Sequence, residues 1–315
     1  MPLIEESSFR PSLYLPGGHL QTIIPALIRR VPQVTNQRER LELPDGDFLD
    51  LDWSGKSSTR LAIISHGLEG SSQGAYVQGM ACALIHAGWD VLAWNLRGCS
   101  GETNRLKRFY HSGATEDLSA VISHAEKIHS ATQIDLIGFS LGGNLTLKYL
   151  GEGAAGKIHR AVTFSVPCDL ADSSAQLAKW SNALYMRRFM KDMQRKILIK
   201  NELFPGELDL TDLMEMRSFA QFDDRYTGPI HGFQNAQTYW DLNSSRPFIP
   251  QITTPTLLVS ALNDPFLGDA CYPRLEAATS FHFHLEMPAC GGHVGFLDRV
   301  GSYWSERRAL EFLSH

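Results

Sequence analysis

Short apolar runs recur along this chain, separated by stretches whose apolar positions fall at helical spacing. Arg40-Leu41-Glu42-Leu43 and Phe48-Leu49-Asp50-Leu51-Asp52-Trp53 alternate in character, and Pro44-Asp45-Gly46-Asp47 joins them, which predicts a hairpin. Downstream, six runs are apolar along nearly their whole length: 61–65, 90–94, 134–139, 160–166, 255–260 and 281–287. Helical patterns lie between most of them, at 76–87, 115–129, 144–150 and 269–278, with a last one at 302–313. A strand buried on both faces has no polar side to show. Apolar runs alternating with helices therefore predict an α/β fold, a mostly parallel eight-stranded sheet with helices on both faces. Residues 1–37 are punctuated by Pro and Gly and are expected to wrap this body as a loop with one short helix, 20–30.

The rhythm breaks once. The stretch 169–252 is far longer than a usual crossover between two strands. It holds a helical, basic and Met-rich piece, Trp180-Ser181-Asn182-Ala183-Leu184-Tyr185-Met186-Arg187-Arg188-Phe189-Met190-Lys191. The expectation is a single domain with its core in 38–168 and 253–315 and a helical cap inserted at 169–252. Such a cap would lie over the sheet edge where open α/β folds bind ligands, and its Met and aromatic side chains suit an apolar chain. The plain alternative is a surface insertion that touches no ligand.

The run ending in Gly138-Phe139-Ser140-Leu141-Gly142 is Gly-x-Ser-x-Gly placed between a strand and a helix. In that setting the motif is a nucleophile elbow, with Ser140 on a strained turn at the tip of the sheet. Gly138 and Gly142 are expected to keep the opposite arm of the turn free of a Cβ. A serine hydroxyl needs a base to take its proton, and the base needs an orienting carboxylate. In chain order these should follow as Asp or Glu and then His. Asp264 stands in the loop after the 255–260 run, and His293 in the Gly-rich loop after the 281–287 run. Parallel strands would bring both loops to the edge that carries Ser140. Two oxyanion donors are expected: the N–H of Leu141, at a helix start, and that of Leu68, in the turn after His66-Gly67.

Other residues compete for these roles. Asp169 is a rival acid, and Asp264 could simply cap the helix after it. His66 reads as support for the oxyanion turn, whereas His111 and His231 lie outside the slot after the last strand. Cys290 has no elbow. Arg97 reads as a fork that ties loops together. No metal-ligand spacing and no glycine-rich phosphate loop occurs, so neither metal nor cofactor is expected.

The net charge of −5 argues against a nucleic-acid partner. Five scattered Cys, without a C-x-x-C pair, suit reduced thiols in a cytoplasmic protein. No apolar run reaches the roughly 20 residues that cross a bilayer, and the N-terminus has no signal-peptide pattern. The chain is compatible with a monomer.

The elbow, the Asp264 and His293 loops and the His66-Gly67 turn resemble the α/β-hydrolase superfamily. Finer runs resemble its YheT-like branch, the AB hydrolase 4 family. These are Gly18-His19-Leu20-Gln21-Thr22-Ile23, His66-Gly67-Leu68-Glu69-Gly70-Ser71, Asn95-Leu96-Arg97-Gly98-Cys99-Ser100-Gly101, Tyr110-His111-Ser112-Gly113 and Gly232-Phe233. The resemblance implies a charge relay of Ser140, Asp264 and His293 and hydrolysis of small carboxylic esters, often with medium or longer acyl chains. Relatives include phospholipid-acting lipases and alcohol acyltransferases, many with an N-terminal membrane anchor that is not expected in this chain; a soluble esterase is the nearer expectation. Two other readings remain: an alcohol O-acyltransferase, which would use the same residues, and a non-catalytic hydrolase-like binding scaffold, against which the presence of all three residues counts.

Overall fold

The computed structural model describes residues 3–32, 34–55, 57–153, 158–299 and 302–314. Its centre is a nine-stranded sheet in the order β1-β9-β8-β7-β6-β4-β5-β3-β2. The strands are β1 (Leu3–Ile4), β2 (Gln37–Glu42), β3 (Phe48–Ser54), β4 (Arg60–Ser65), β5 (Asp90–Trp94), β6 (Gln133–Phe139), β7 (Ile158–Phe164), β8 (Thr256–Val259) and β9 (Phe283–Glu286). Only the pairs that involve β3 are antiparallel. The sheet thus has one strand more than the eight expected. The addition is β1, two residues that extend the edge beside β9, too short to leave any period in the sequence.

The apolar runs divide between the two faces. Leu61 and Ile63 of β4 join one core, with Leu136 of β6. Ala62 and Ile64 turn to the other, with Ile137 and Val162. Helix α1 (Gly17–Ile28) lies near the chain start and α2 (Ala75–His86) follows β4. Helix α2 and the last helix, named below, cover the second face, through Val77, Met80, Leu84 and Trp304, Ala309, Phe312. Helices α3 (Thr115–Ile128) and α4 (Leu141–Gly151) cover the first, through Leu118, Val121 and Leu145, Leu150.

Between β7 and β8 the chain forms five helices: α5 (Leu170–Leu177), α6 (Ala183–Leu203), α7 (Phe219–Phe222), α8 (Gly228–Ile230) and α9 (Ala236–Asn243). Met186, Met190, Met193 and Ile197 form one stripe along α6 and pack with Phe219, Phe222 and Tyr226 in a small separate core. Trp180 lies outside that stripe and is 92% exposed. The helix expected at 269–278 is two pieces, a 3₁₀ turn at Asp269–Cys271 and α10 (Arg274–Thr279). Pro273 between them lacks the N–H a continuous helix needs. The last helix is α11 (Trp304–Leu313).

Candidate active site

Strand β6 ends at Phe139 and α4 begins at Leu141, so Ser140 alone turns the chain. It does so at φ 53°, ψ −119°, a left-handed backbone that costs a residue with a Cβ about 1–3 kcal/mol. Neighbours hold it there. Its N–H donates to the Phe164 carbonyl at 2.9 Å, and its own carbonyl accepts from the N–H groups of Gly143 and Asn144. A Cβ on Gly138 would come within 2.6 Å of Gly143 Cα, the opposite arm of the turn. Gly142 differs from expectation. A Cβ there would strike the Ser65 and His66 carbonyl oxygens, so its role is to let the elbow press against the end of β4.

That end of β4 carries the loop with Leu68. A Cβ on Gly67 would lie 3.2 Å from Ser140 Cβ, so this backbone runs beside the serine. Gly67 N–H donates to Tyr76 Oη at 2.9 Å and Glu69 N–H to Tyr110 Oη at 3.0 Å. Between them, Leu68 N–H has no hydrogen-bond partner among the described residues. Leu141 N–H, first in α4, has no intrahelical acceptor. Both residues line the same cavity as Ser140. His66 is fully buried. Its Nε2 accepts from Leu96 N–H at 3.1 Å, which leaves Nδ1–H to donate to the Gly67 carbonyl at 2.7 Å. Burial pushes this imidazole's pKa down to about 4, so it is neutral at physiological pH and pins the loop.

Asp264 follows β8 and His293 follows β9, on the sheet edge that carries Ser140. Asp264 Oδ1 accepts from Phe266 N–H at 2.9 Å and Oδ2 faces His293 Nδ1 at 2.8 Å. A carboxylate only accepts, so Nδ1 carries the proton and Nε2 is left as the acceptor. Nε2 lies 3.0 Å from Ser140 Oγ. The Phe266 ring packs on the imidazole with centroids 4.2 Å apart.

The His293 loop is held by residues at the far end of the sequence. Gln21 Oε1 accepts from Gly291 N–H at 2.8 Å and from Asn263 Nδ2 at 2.9 Å. Thr22 Oγ1 accepts from His293 N–H at 2.9 Å, and Asn263 Oδ1 from Gly292 N–H at 3.0 Å. A Cβ on Gly292 would meet the α1 backbone at 2.8 Å. The Gly18–Ile23 run, singled out in the sequence without a chemical role, is therefore the strap of the histidine loop. Gln21 and Thr22 are both buried, which nothing in the sequence signalled.

The rivals have other work. Asp169 caps α5 by accepting from Asp172 N–H at 2.9 Å. Arg97, 3% exposed, forks onto Asp117 and bonds Asp45 and Asp47. His231 sits between the carbonyls of Thr227 and Phe109 and packs at a tilt of 55° against the His111 ring. All five Cys are unpaired. Among the described residues, no group of His, Cys, Asp or Glu could hold a metal ion, and no helix is long and apolar enough to cross a membrane.

Above Ser140 and His293 lies a cleft of about 880 Å³, its mouth included, walled by the segment between β7 and β8 through Leu170, Leu177, Phe189, Met193, Phe219 and Phe222. Lys196 of α6 pairs with Glu69 of the Leu68 loop at 2.9 Å. A second, more polar groove also reaches His293, between Thr22, Arg29, Tyr76 and Arg188.

A serine elbow, with an acid and a histidine on the loops after later parallel strands, is the arrangement of a hydrolase built on an α/β sheet. The chain belongs to the α/β hydrolase fold family, whose model matches residues 63–300. Within it the place is the YheT-like branch. The chain is 34% identical to the protein named “Putative esterase YheT” of Escherichia coli (strain K12), over 98% of this chain and 93% of that protein. It is 28% identical to the human phospholipase ABHD3, over 95% of this chain and 76% of that protein. The esterase Pf2001 of Pyrococcus furiosus shares the fold, with a TM-score of 0.60 at 18% identity, over 91% of this chain and 97% of that one.

Proposed function

We propose that this protein is a serine carboxylic ester hydrolase acting on short- to medium-chain acyl esters. The observation that carries the reading is the unbroken line from Asp264 through His293 to Ser140, at 2.8 and 3.0 Å. Ser140 Oγ attacks the ester carbonyl while His293 Nε2 takes its proton. Asp264 holds the imidazole in the tautomer that leaves Nε2 free and stabilises the imidazolium. The developing oxyanion is bound by the Leu68 and Leu141 N–H groups. His293 returns the proton to the departing alcohol, then activates the water that releases the acid.

Residues 169–252 act in this account as the cap, whose Phe189, Met193, Phe219 and Phe222 wall the acyl side. The second groove offers a way for water and alcohol to His293. Relatives named as an esterase and as a phospholipase support ester bonds as the target. Five unpaired thiols suit a reducing compartment such as the cytoplasm.

The test is turnover of p-nitrophenyl esters of graded acyl length, with and without ethanol, by the wild type and by Ser140→Ala. Release of free acid that vanishes in the variant supports the reading. Near-wild-type activity in the variant overturns it, and an ethyl ester as the dominant product replaces hydrolysis by acyl transfer.

A further inference from the structure

The turn that carries Leu68 holds a strained residue. Gly70 N–H donates to the Gly67 carbonyl at 3.0 Å, which closes a turn over Gly67-Leu68-Glu69-Gly70. Glu69, third in that turn, sits at φ 50°. A left-handed residue at this place is usually Gly or Asn, because a longer side chain is costly there. Here glycines stand first and last, and the strained position has a glutamate. Strain of this kind persists only where the surroundings enforce it.

The surroundings of Glu69 come from two other elements. Tyr110, in the loop before α3, is buried. Its Oη accepts from Glu69 N–H at 3.0 Å and donates to Glu69 Oε1 at 2.5 Å, so one hydroxyl clasps both the backbone and the side chain. Lys196 of α6 donates to the same Oε1 at 2.9 Å. The Lys196 and Glu69 side chains are only 13% and 15% exposed. The other neighbours of the Lys196 ammonium are Cys99 Sγ at 3.7 Å and the Tyr110 ring, its centroid at 4.4 Å. On the near side of the turn, Tyr76 Oη holds Gly67 N–H at 2.9 Å. The peptide that presents the Leu68 N–H thus lies between two pinned peptides. Planar peptides leave it little freedom to turn. Leu68, Glu69, Tyr110 and Lys196 all line the cleft above Ser140.

We propose that Glu69, held by Tyr110 and Lys196, is the positioning residue of the Leu68 oxyanion donor, and that Lys196 makes this donor depend on the docking of α6. The inference rests on the ester-hydrolase reading above. The rival role is a plain fastener between α6 and the sheet. A fastener affects stability and substrate binding alike; a positioning residue acts on the negative charge that develops during reaction.

The experiment separates the two with a pair of inhibitors of one acyl length. A trifluoromethyl ketone takes up Ser140 Oγ at its carbonyl carbon, so its oxygen becomes an oxyanion while His293 takes the proton. The matching methyl ketone stays a neutral carbonyl. Kinetics on p-nitrophenyl esters and both inhibition constants are measured for the wild type, Glu69→Ala, Glu69→Gln, Tyr110→Phe and Lys196→Met. Glu69→Ala, Tyr110→Phe and Lys196→Met should lower kcat about 10- to 100-fold with KM little changed, as expected for a misaimed donor. The preference for the trifluoromethyl over the methyl ketone should fall by a similar factor. It is read within each variant, so a general loss of folded protein cancels. Glu69→Gln keeps an oxygen for both donors and should recover most of the loss. Three results overturn the inference: kcat unchanged in both Glu69→Ala and Lys196→Met, losses confined to KM with the ketone preference unchanged, or Glu69→Gln as impaired as Glu69→Ala. A wild type that cleaves no ester and forms no ketone adduct overturns the hydrolase reading itself.

Discussion

The elbow that carries Ser140 and the loop that carries His293 meet at 3.0 Å, but they are built in opposite ways. The elbow is short-range. One residue turns the chain from β6 into α4, and the glycines that permit the turn lie two residues either side. Its longer-range supports, the His66-Gly67 backbone and the Phe164 carbonyl, come from the ends of the two adjacent strands. The His293 loop has one internal bond, from Phe296 N–H to the Gly291 carbonyl at 3.0 Å, and a tie from Val294 N–H to Ser165 Oγ at 2.9 Å. Its shape is imposed by Gln21, Thr22 and Asn263, through four hydrogen bonds to Gly291, Gly292, His293 and the Asn263 amide. The proposed nucleophile is thus pre-set by local backbone geometry and the proposed base by a distant strap. Damage to the elbow should therefore threaten the fold, and damage to the strap should mainly misplace the base.

The largest effect expected is that of Ser140→Ala, a fall in kcat of about 10⁴-fold or more at unchanged fold. Next is Gly142→Ala, whose Cβ meets two carbonyl oxygens that cannot swing away. Overpacking of this kind costs on the order of 3 kcal/mol, which in a chain of this size lowers Tm by roughly 4–5 °C in calorimetry. A Tm within about 2 °C of the wild type would break the elbow half of the comparison.

The third prediction concerns acid. Burial lowers the His66 pKa from its ordinary 6.5 to about 4. Between those values the unfolded chain takes up a proton that the folded one refuses. Stability from this group is therefore complete above about pH 6.5 and is lost as the pH falls toward 4, by on the order of 3 kcal/mol. The difference in unfolding free energy between the wild type and His66→Asn should shrink by that order from pH 7 to pH 4.5 in urea titrations. A difference independent of pH removes His66 as the neutral pin of the loop.

Gln21→Ala comes fourth. It leaves the Gly291 N–H and the Asn263 amide without their acceptor. That should cost about 1–3 kcal/mol and lower kcat roughly 10- to 100-fold through a displaced His293, with KM little changed. Thr22→Val removes one acceptor and should cost roughly tenfold in kcat. If either strap variant lowers Tm as far as Gly142→Ala while sparing kcat, the contrast between the two regions fails.

The same contrast explains what was readable in the chain. The strand runs and the elbow are local patterns, because period, turn glycines and the serine sit within a few residues of one another. The order of Asp264 and His293 was readable once parallel strands were expected, since parallel strands bring their C-terminal loops to one edge. The strap was not readable. Gln21 and Thr22 make contacts across some 270 residues of chain, and a buried Gln in a helix has no signature of its own. Strand β1 has two residues and no period. The break at Pro273 was visible in the sequence but was outweighed by the apolar spacing around it. The Met-rich piece was rightly expected to be helical, but Trp180 points to solvent, while the residues that wall the cleft are spread over α5, α6 and α7.

The most direct test of the account is covalent labelling of the full-length protein with a fluorophosphonate, followed by peptide mass spectrometry. The account predicts one adduct, on Ser140, formed quickly in the wild type, much more slowly in His293→Ala and Asp264→Asn, and absent in Ser140→Ala. An adduct on another residue, or labelling of Ser140 at the same rate without His293, would contradict it.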